Sequence, residues 1–181
     1  MAKLYFVRHG KAAAGFGAHA DPGLDETGQQ QANKIAAKLG QLPRMRIISS
    51  PLLRARETAK PLCELWDTQA EIEPSIAEIP SPTPDLARRA AWLGTVMQDT
   101  WNNLDADLHA WRDNMISYLL TLEEDCVLFS HFIAINVAVG HANKEGRMIS
   151  FRPDNASCTV LSNDGSLRIL ELGAEAETHV N

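Results

Sequence analysis

Three apolar runs in this chain each end in side chains suited to phosphate chemistry, and helical sequence separates them. Leu4-Tyr5-Phe6-Val7 runs into Arg8-His9-Gly10, Ile47-Ile48 runs into Ser49-Ser50-Pro51, and Cys126-Val127-Leu128-Phe129 runs into Ser130-His131. Short continuous apolar runs flanked by helical periodicity are the signature of buried strands in an α/β sheet. In such sheets ligands bind at the carboxyl ends of the strands. If the strands are parallel neighbours, all three ends open on one edge. An isolated strand end with two polar residues in solvent is the plainer reading of Arg8-His9 alone. The repeated layout argues for convergence.

The segments between the runs support that frame. Asp25 is placed to cap a helix, residues 29–39 carry helical spacing at Ala32, Ile35, Ala36 and Leu39, and Gly40 is a natural stop. Ser50-Pro51 opens a second helix, with Ala55, Thr58, Ala59, Leu62 and Leu65 as its apolar face. A short strand is expected at residues 70–73, then an irregular connection with prolines at 74, 80, 82 and 84. Amphipathic helices follow near 85–98 and 105–122, and a helix near 133–140. Asn163-Asp164-Gly165 between apolar runs at 157–161 and 167–172 predicts a hairpin. The whole predicts a parallel or mixed sheet covered on both faces.

Composition narrows the function. A chain of 181 residues is expected to form one domain, here residues 1–181. Its net charge of −6 argues against nucleic acid or an anionic membrane as partner, and makes any basic pocket a local construction. Cys63, Cys126 and Cys158 lie far apart with no CxxC pair, so they read as small buried apolar residues of a reduced, cytoplasmic protein, with no zinc site implied. The amino-terminal residues are too polar for a signal peptide, and no apolar run reaches transmembrane length.

Arg8-His9-Gly10, the element SSPLLRARETA at 49–59 and Ser130-His131 after a strand together resemble the histidine phosphatase superfamily, also called phosphoglycerate mutase-like. Asp21-Pro22-Gly23-Leu24-Asp25-Glu26-Thr27-Gly28 with Gln31-Ala32, and Asn155-Ala156-Ser157, resemble two further segments of that family. The resemblance implies a three-layer α/β sandwich: a mostly parallel central sheet with one antiparallel strand and helices on both faces. It also implies a helical insert at about 84–122.

By the same resemblance, His9 is the nucleophile that becomes phosphohistidine, and Arg8, Arg54 and His131 surround the transferring phosphoryl oxygens. Neighbouring arginines would disfavour protonation of His9, and one ring nitrogen must be held as a donor so that the other can attack. No metal or cofactor is required, because side chains supply the positive charge. Glu78 is the positional match for the family's proton donor, with Glu73 and Asp85 as fallbacks, since Ile79-Pro80-Ser81-Pro82 departs from the family's usual continuation. Phe132 replaces a common glycine after the second histidine and is expected to narrow the pocket or favour an apolar substrate group. Gly10 and Lys11 are further phosphate-binding candidates.

Trp92, Trp101 and Trp111 of the insert read as core, with some of the insert's residues forming a lid. Residues 12–20, with Gly15, Phe16, Gly17 and His19, are a second specificity element. The implied activity is hydrolysis of a phosphomonoester, with a small phosphorylated molecule or a phosphoprotein as substrate. A phosphoglycerate mutase and a phospho-ligand-binding regulatory module are the alternatives. Substrate identity and oligomeric state are not legible.

Overall fold

Each apolar run becomes a strand because its neighbours in sequence supply apolar faces to cover it. The computed structural model describes residues 1–15 and 18–176. Six strands, β1 (Ala2–Arg8), β2 (Arg46–Ser49), β3 (Glu71–Ile72), β4 (Cys126–Ser130), β5 (Cys158–Asn163) and β6 (Leu167–Glu171), form one sheet in the order β3-β2-β4-β1-β5-β6. The pairings β2·β3, β2·β4 and β1·β4 are parallel, whereas β5 runs antiparallel to both β1 and β6. The expected fold class is therefore the observed one.

Five α-helices cover the two faces: α1 (Glu26–Leu39), α2 (Leu53–Trp66), α3 (Leu86–Val96), α4 (Ala106–Leu120) and α5 (Phe132–Asn143). Alternation along the strands assigns the layers. Val7, Ile47, Val127 and Phe129 pack with Ile35 and Leu39 of α1 and Ala59 and Leu62 of α2. Leu4, Phe6, Ile48 and Leu128 face the other way, onto Met115 and Leu119 of α4 and the apolar side chains of α5. Every residue of α5 from Phe132 to Gly140 is buried, which is why its sequence shows no polar face.

Local signals explain most boundaries. The Asp25 carboxylate accepts from Gly28 N and caps α1, and Gly40 ends it. The hairpin turn between β5 and β6 uses Gly165 at φ +92°. Leu65 is a correction: it is 53% exposed, and Trp66 beside it is buried in its place. Of the cysteines only Cys126 is fully buried; Cys63 and Cys158 are half-buried. Among the described residues no helix is long and apolar enough to cross a membrane.

Candidate active site

Strand register brings the three polar ends level. Arg8 pairs with Ser130 and Ser49 with Phe129, so β1, β2 and β4 finish side by side. The ladder continues one step further, with His9 N donating to Ser130 O and Ser50 N to Phe129 O, both at 3.0 Å. His9, Arg54, His131 and Arg8 thus meet at one place despite their separation along the chain.

The tautomer of His9 follows from its partners. Nδ1 lies 2.7 Å from the Gly10 carbonyl, which can only accept, so Nδ1 carries the proton. Nε2 is left with its lone pair, and Arg54 Nε donates to it at 3.1 Å. Burial is the first cause holding the imidazole well below its ordinary value of 6.5, and Arg54 and Arg8 add to it. His9 is therefore neutral with an unprotonated Nε2, which can act as a nucleophile once the Arg54 hydrogen bond gives way.

His131 lies beside it, with ring centroids 5.2 Å apart. Its Nε2 shares a 2.7 Å hydrogen bond with the Ser50 hydroxyl. Its pKa too is held well below 6.5, first by burial and then by the neighbouring His9, Arg54 and Arg8. Arg8 is pulled down to about 10, chiefly by burial, and is still a cation at neutral pH. Three nitrogens here, Arg8 Nε, Arg54 Nη2 and His131 Nδ1, are buried with no hydrogen-bond partner among the described residues. Buried polar groups are ordinarily satisfied. Such a cluster fits an anion that takes several hydrogen bonds at once.

Glu78 belongs to this group. It is 6% exposed, and its carboxylate accepts from Ile79 N, Ile133 N and Ala134 N at 3.1–3.4 Å, so it sits at the amino end of α5. Burial raises its pKa above the usual carboxylate value, against the pull of Arg54, the backbone N–H groups and Arg8. The fallback carboxylates are spent elsewhere. Glu73 caps a short 3-10 turn through Ser75 N, and Asp85 caps α3 through Arg88 N.

The backbone around His9 is tied down at every step. Arg8 N donates to Ser157 O, Gly10 N to Thr58 Oγ1, Lys11 N to Gln31 Oε1, and Asn155 Nδ2 to His9 O. Thr58 in turn donates to the Arg54 carbonyl at 2.6 Å, which links the histidine loop to the arginine's own helix. Asp21 accepts from Leu53 N at 2.9 Å and lies 3.7 Å from Arg54 Nη1, so it caps α2 and steadies Arg54.

Other expected site residues sit differently. Gly10 acts on His9 through its carbonyl, while its N–H is taken by Thr58. The Lys11 ammonium pairs with Asp25 at 3.1 Å and is not brought to the buried nitrogens. Phe132 is 2% exposed in the main core, with Arg8 Cζ 5.1 Å above its ring, so its contact at the site is with an arginine. Trp101 is buried in the core, and Trp92 and Trp111 pack against it. Arg112 lies over the Trp101 ring and His109 meets its edge. Phe16 and Gly17 of the amino-terminal loop lie outside the described residues. Ser50, Thr58 and Asp21 have roles that their motifs alone did not assign, and Pro153, whose carbonyl accepts from Arg8 Nη1 at 2.8 Å, left no sequence signal.

The two histidines make stability depend on pH. Their folded pKa values lie below 6.5. Below that value the unfolded chain takes up protons that the folded chain refuses. The stability is thus complete above 6.5 and drains as pH falls below it. Glu78, raised in the fold, acts oppositely: its contribution falls as pH climbs above the usual carboxylate value. In urea titrations at stepped pH, His131→Asn is expected to flatten the acid-side slope of unfolding free energy by about one proton. An unchanged slope would mean that His131 is not held neutral by the fold.

A family model described as histidine phosphatase superfamily (branch 1) matches residues 4–174 of the chain. "Probable phosphoglycerate mutase GpmB" of Erwinia tasmaniensis is 26% identical over 120 residues, 64% of this chain and 50% of that protein. The protein of the same name from Photorhabdus laumondii is 32% identical over the same shares. The chain matches about half the length of these curated relatives. Among solved structures, mycobacterial glucosyl-3-phosphoglycerate phosphatase in complex with VO3 superposes with TM-score 0.74 at 24% identity, covering 97% of this chain and 100% of that one. Phosphoglycerate mutase from Thermus thermophilus superposes with TM-score 0.62 at 24% identity, covering 96% and 99%. These two likenesses establish the fold.

Proposed function

The chain belongs to the histidine phosphatase superfamily, and from that premise we propose that it is a metal-independent phosphomonoester hydrolase working through a phosphohistidine at His9. The observation that carries this reading is the neutral His9 with its Nε2 lone pair beside the three partnerless buried nitrogens of Arg8, Arg54 and His131. In the first step the hydrogen bond from Arg54 Nε gives way, and the Nε2 lone pair it held forms a bond to phosphorus as the bond to the ester oxygen breaks. Arg8, Arg54 and His131 donate to the equatorial oxygens, where the transferring group's charge spreads. The departing oxygen takes a proton from Glu78. In the second step water attacks phosphorus and gives its proton to the Glu78 carboxylate. The P–N bond breaks, phosphate leaves, and Nε2 regains its lone pair.

In this reading the helical segment at about 84–122 is part of the same domain, since α4 shares a core with Phe6 and Leu128. The substrate class is a small phosphorylated molecule; the name of the mycobacterial neighbour supports a phosphorylated metabolite over a phosphoprotein. The mutase alternative draws on the names of the curated relatives, and interconversion of 3- and 2-phosphoglycerate by the purified chain would favour it. Phosphate binding with no turnover of any ester would favour a regulatory module.

Glu78→Gln tests the proton donor. It keeps an acceptor for the α5 amides but loses the transferable proton. Hydrolysis of an alkyl phosphate, whose leaving oxygen needs a proton, is expected to slow by about 10²-fold or more. p-Nitrophenyl phosphate, whose leaving group departs as a stable anion, should be affected less. Equal slowing of both esters would remove Glu78 from the acid role.

A further inference from the structure

Arg8 is fixed from two sides by groups that no ion pair supplies. Its Nη1 donates to the Pro153 carbonyl at 2.8 Å, and its guanidinium lies over the Phe132 face with Cζ 5.1 Å from the ring centroid. Arginine and ring are 6% and 2% exposed, so the contact is almost dry. A planar cation gains most from an aromatic quadrupole when both are desolvated. The two sides of this clamp are also joined to each other. Asn136 Nδ2 donates to the Phe132 carbonyl at 3.0 Å, while Asn136 Oδ1 accepts from Ser150 N at 2.9 Å and Phe151 N at 3.1 Å. Asn136 thus braces the helix end that carries the ring against the segment that leads to Pro153. With one edge and one face of the guanidinium taken, Nε is left buried without a partner.

We propose that Phe132 is a positioning residue: its ring, with the Pro153 carbonyl, sets the plane of the Arg8 guanidinium so that its remaining donors meet a phosphate dianion. This rests on Arg8 being a phosphoryl ligand, as read above. It replaces the expectation that Phe132 shapes the pocket for an apolar substrate group. A misaimed arginine weakens binding of the phosphoryl group and of its transition state alike, because both depend on the same donor geometry.

The test combines Phe132→Leu with Arg8→Lys. Leucine comes close to filling the volume but has no π face, and lysine keeps the charge but has no plane to stack. Inorganic phosphate binding is measured by calorimetry, so the result does not depend on turnover. Phe132→Leu is expected to weaken phosphate binding about tenfold and to lower kcat/KM for p-nitrophenyl phosphate similarly, with an unfolding midpoint lowered by only a few degrees. In the Arg8→Lys background the same change should have little further effect. Wild-type phosphate affinity in Phe132→Leu, or an equal loss in both backgrounds, overturns the proposal. Absence of phosphate binding by the wild type overturns it too. Wild type that binds phosphate but hydrolyses no ester removes the hydrolase reading while Phe132 is still judged on affinity. If Phe132→Leu does not fold, Phe132→Met serves the same comparison.

Discussion

His9→Ala is expected to abolish hydrolysis of p-nitrophenyl phosphate, with a loss on the order of 10⁴-fold or more, while EDTA leaves the wild type unaffected. The size follows from what is removed. Arg8, Arg54 and His131 remain to bind the phosphoryl group, but no nitrogen is left to take it. Bound phosphate should therefore survive the substitution. The intermediate itself offers a second check. A P–N bond to imidazole is labile to acid and stable to alkali, so alkaline quenching should trap a phosphorylated protein from the wild type and none from His9→Ala. Turnover that persists in His9→Ala, or that EDTA removes, would falsify the phosphohistidine route.

Gly28→Ala is expected to be strongly destabilising, with the sign opposite to helix propensity. Glycine inside a helix ordinarily costs about 0.5–1 kcal/mol relative to alanine. Here a Cβ on Gly28 would stand 2.1 Å from the Lys11 carbonyl oxygen and 2.9 Å from Lys11 N. Neither atom can yield easily, because Lys11 O accepts from Asp25 N at 3.0 Å and Lys11 N donates to Gln31 at 2.8 Å. Gly10, the residue before Lys11, is as tightly packed against Gly28, its added Cβ falling 2.6 Å from Gly28 O. Relief must come from shifting α1 or the loop that carries His9. We expect a loss of about 3 kcal/mol in calorimetric stability and roughly 10²-fold in kcat/KM from displacement of the nucleophile. A variant with native melting temperature and native turnover would mean the two segments are not locked together.

The legible parts of this molecule are those written in local pattern. Arg8, His9 and His131 stand at the ends of apolar runs, and strand register alone carries them to one edge. Arg54 was legible only as part of a longer motif; as an isolated cation on a helix it reads as solvated, yet it is 3% exposed. Glu78 lies in a proline-rich connection with no periodicity, and what marks it is burial against α5, a contact more than 50 residues away along the chain. The Pro153 carbonyl is illegible in principle, since every residue has one. Ser50 reads in the sequence as the opening of a helix, and its bond to His131, 81 positions away, leaves no local signal. Phe132 was legible as unusual but not as core. Leu65 and Trp66 are adjacent on a helix, and periodicity alone chose the neighbour that faces water.

The positive charge of this pocket has a short reach. The chain carries a net −6, and the two arginines that would grip a phosphate are 6% and 3% exposed. Beyond a Debye length of about 8 Å at physiological salt, the exposed charges of the chain are largely screened from an approaching anion. Capture is therefore a contact event, with no long-range steering to hasten it. Discrimination falls to the last few ångströms, where a dianion small enough to enter meets several donors at once.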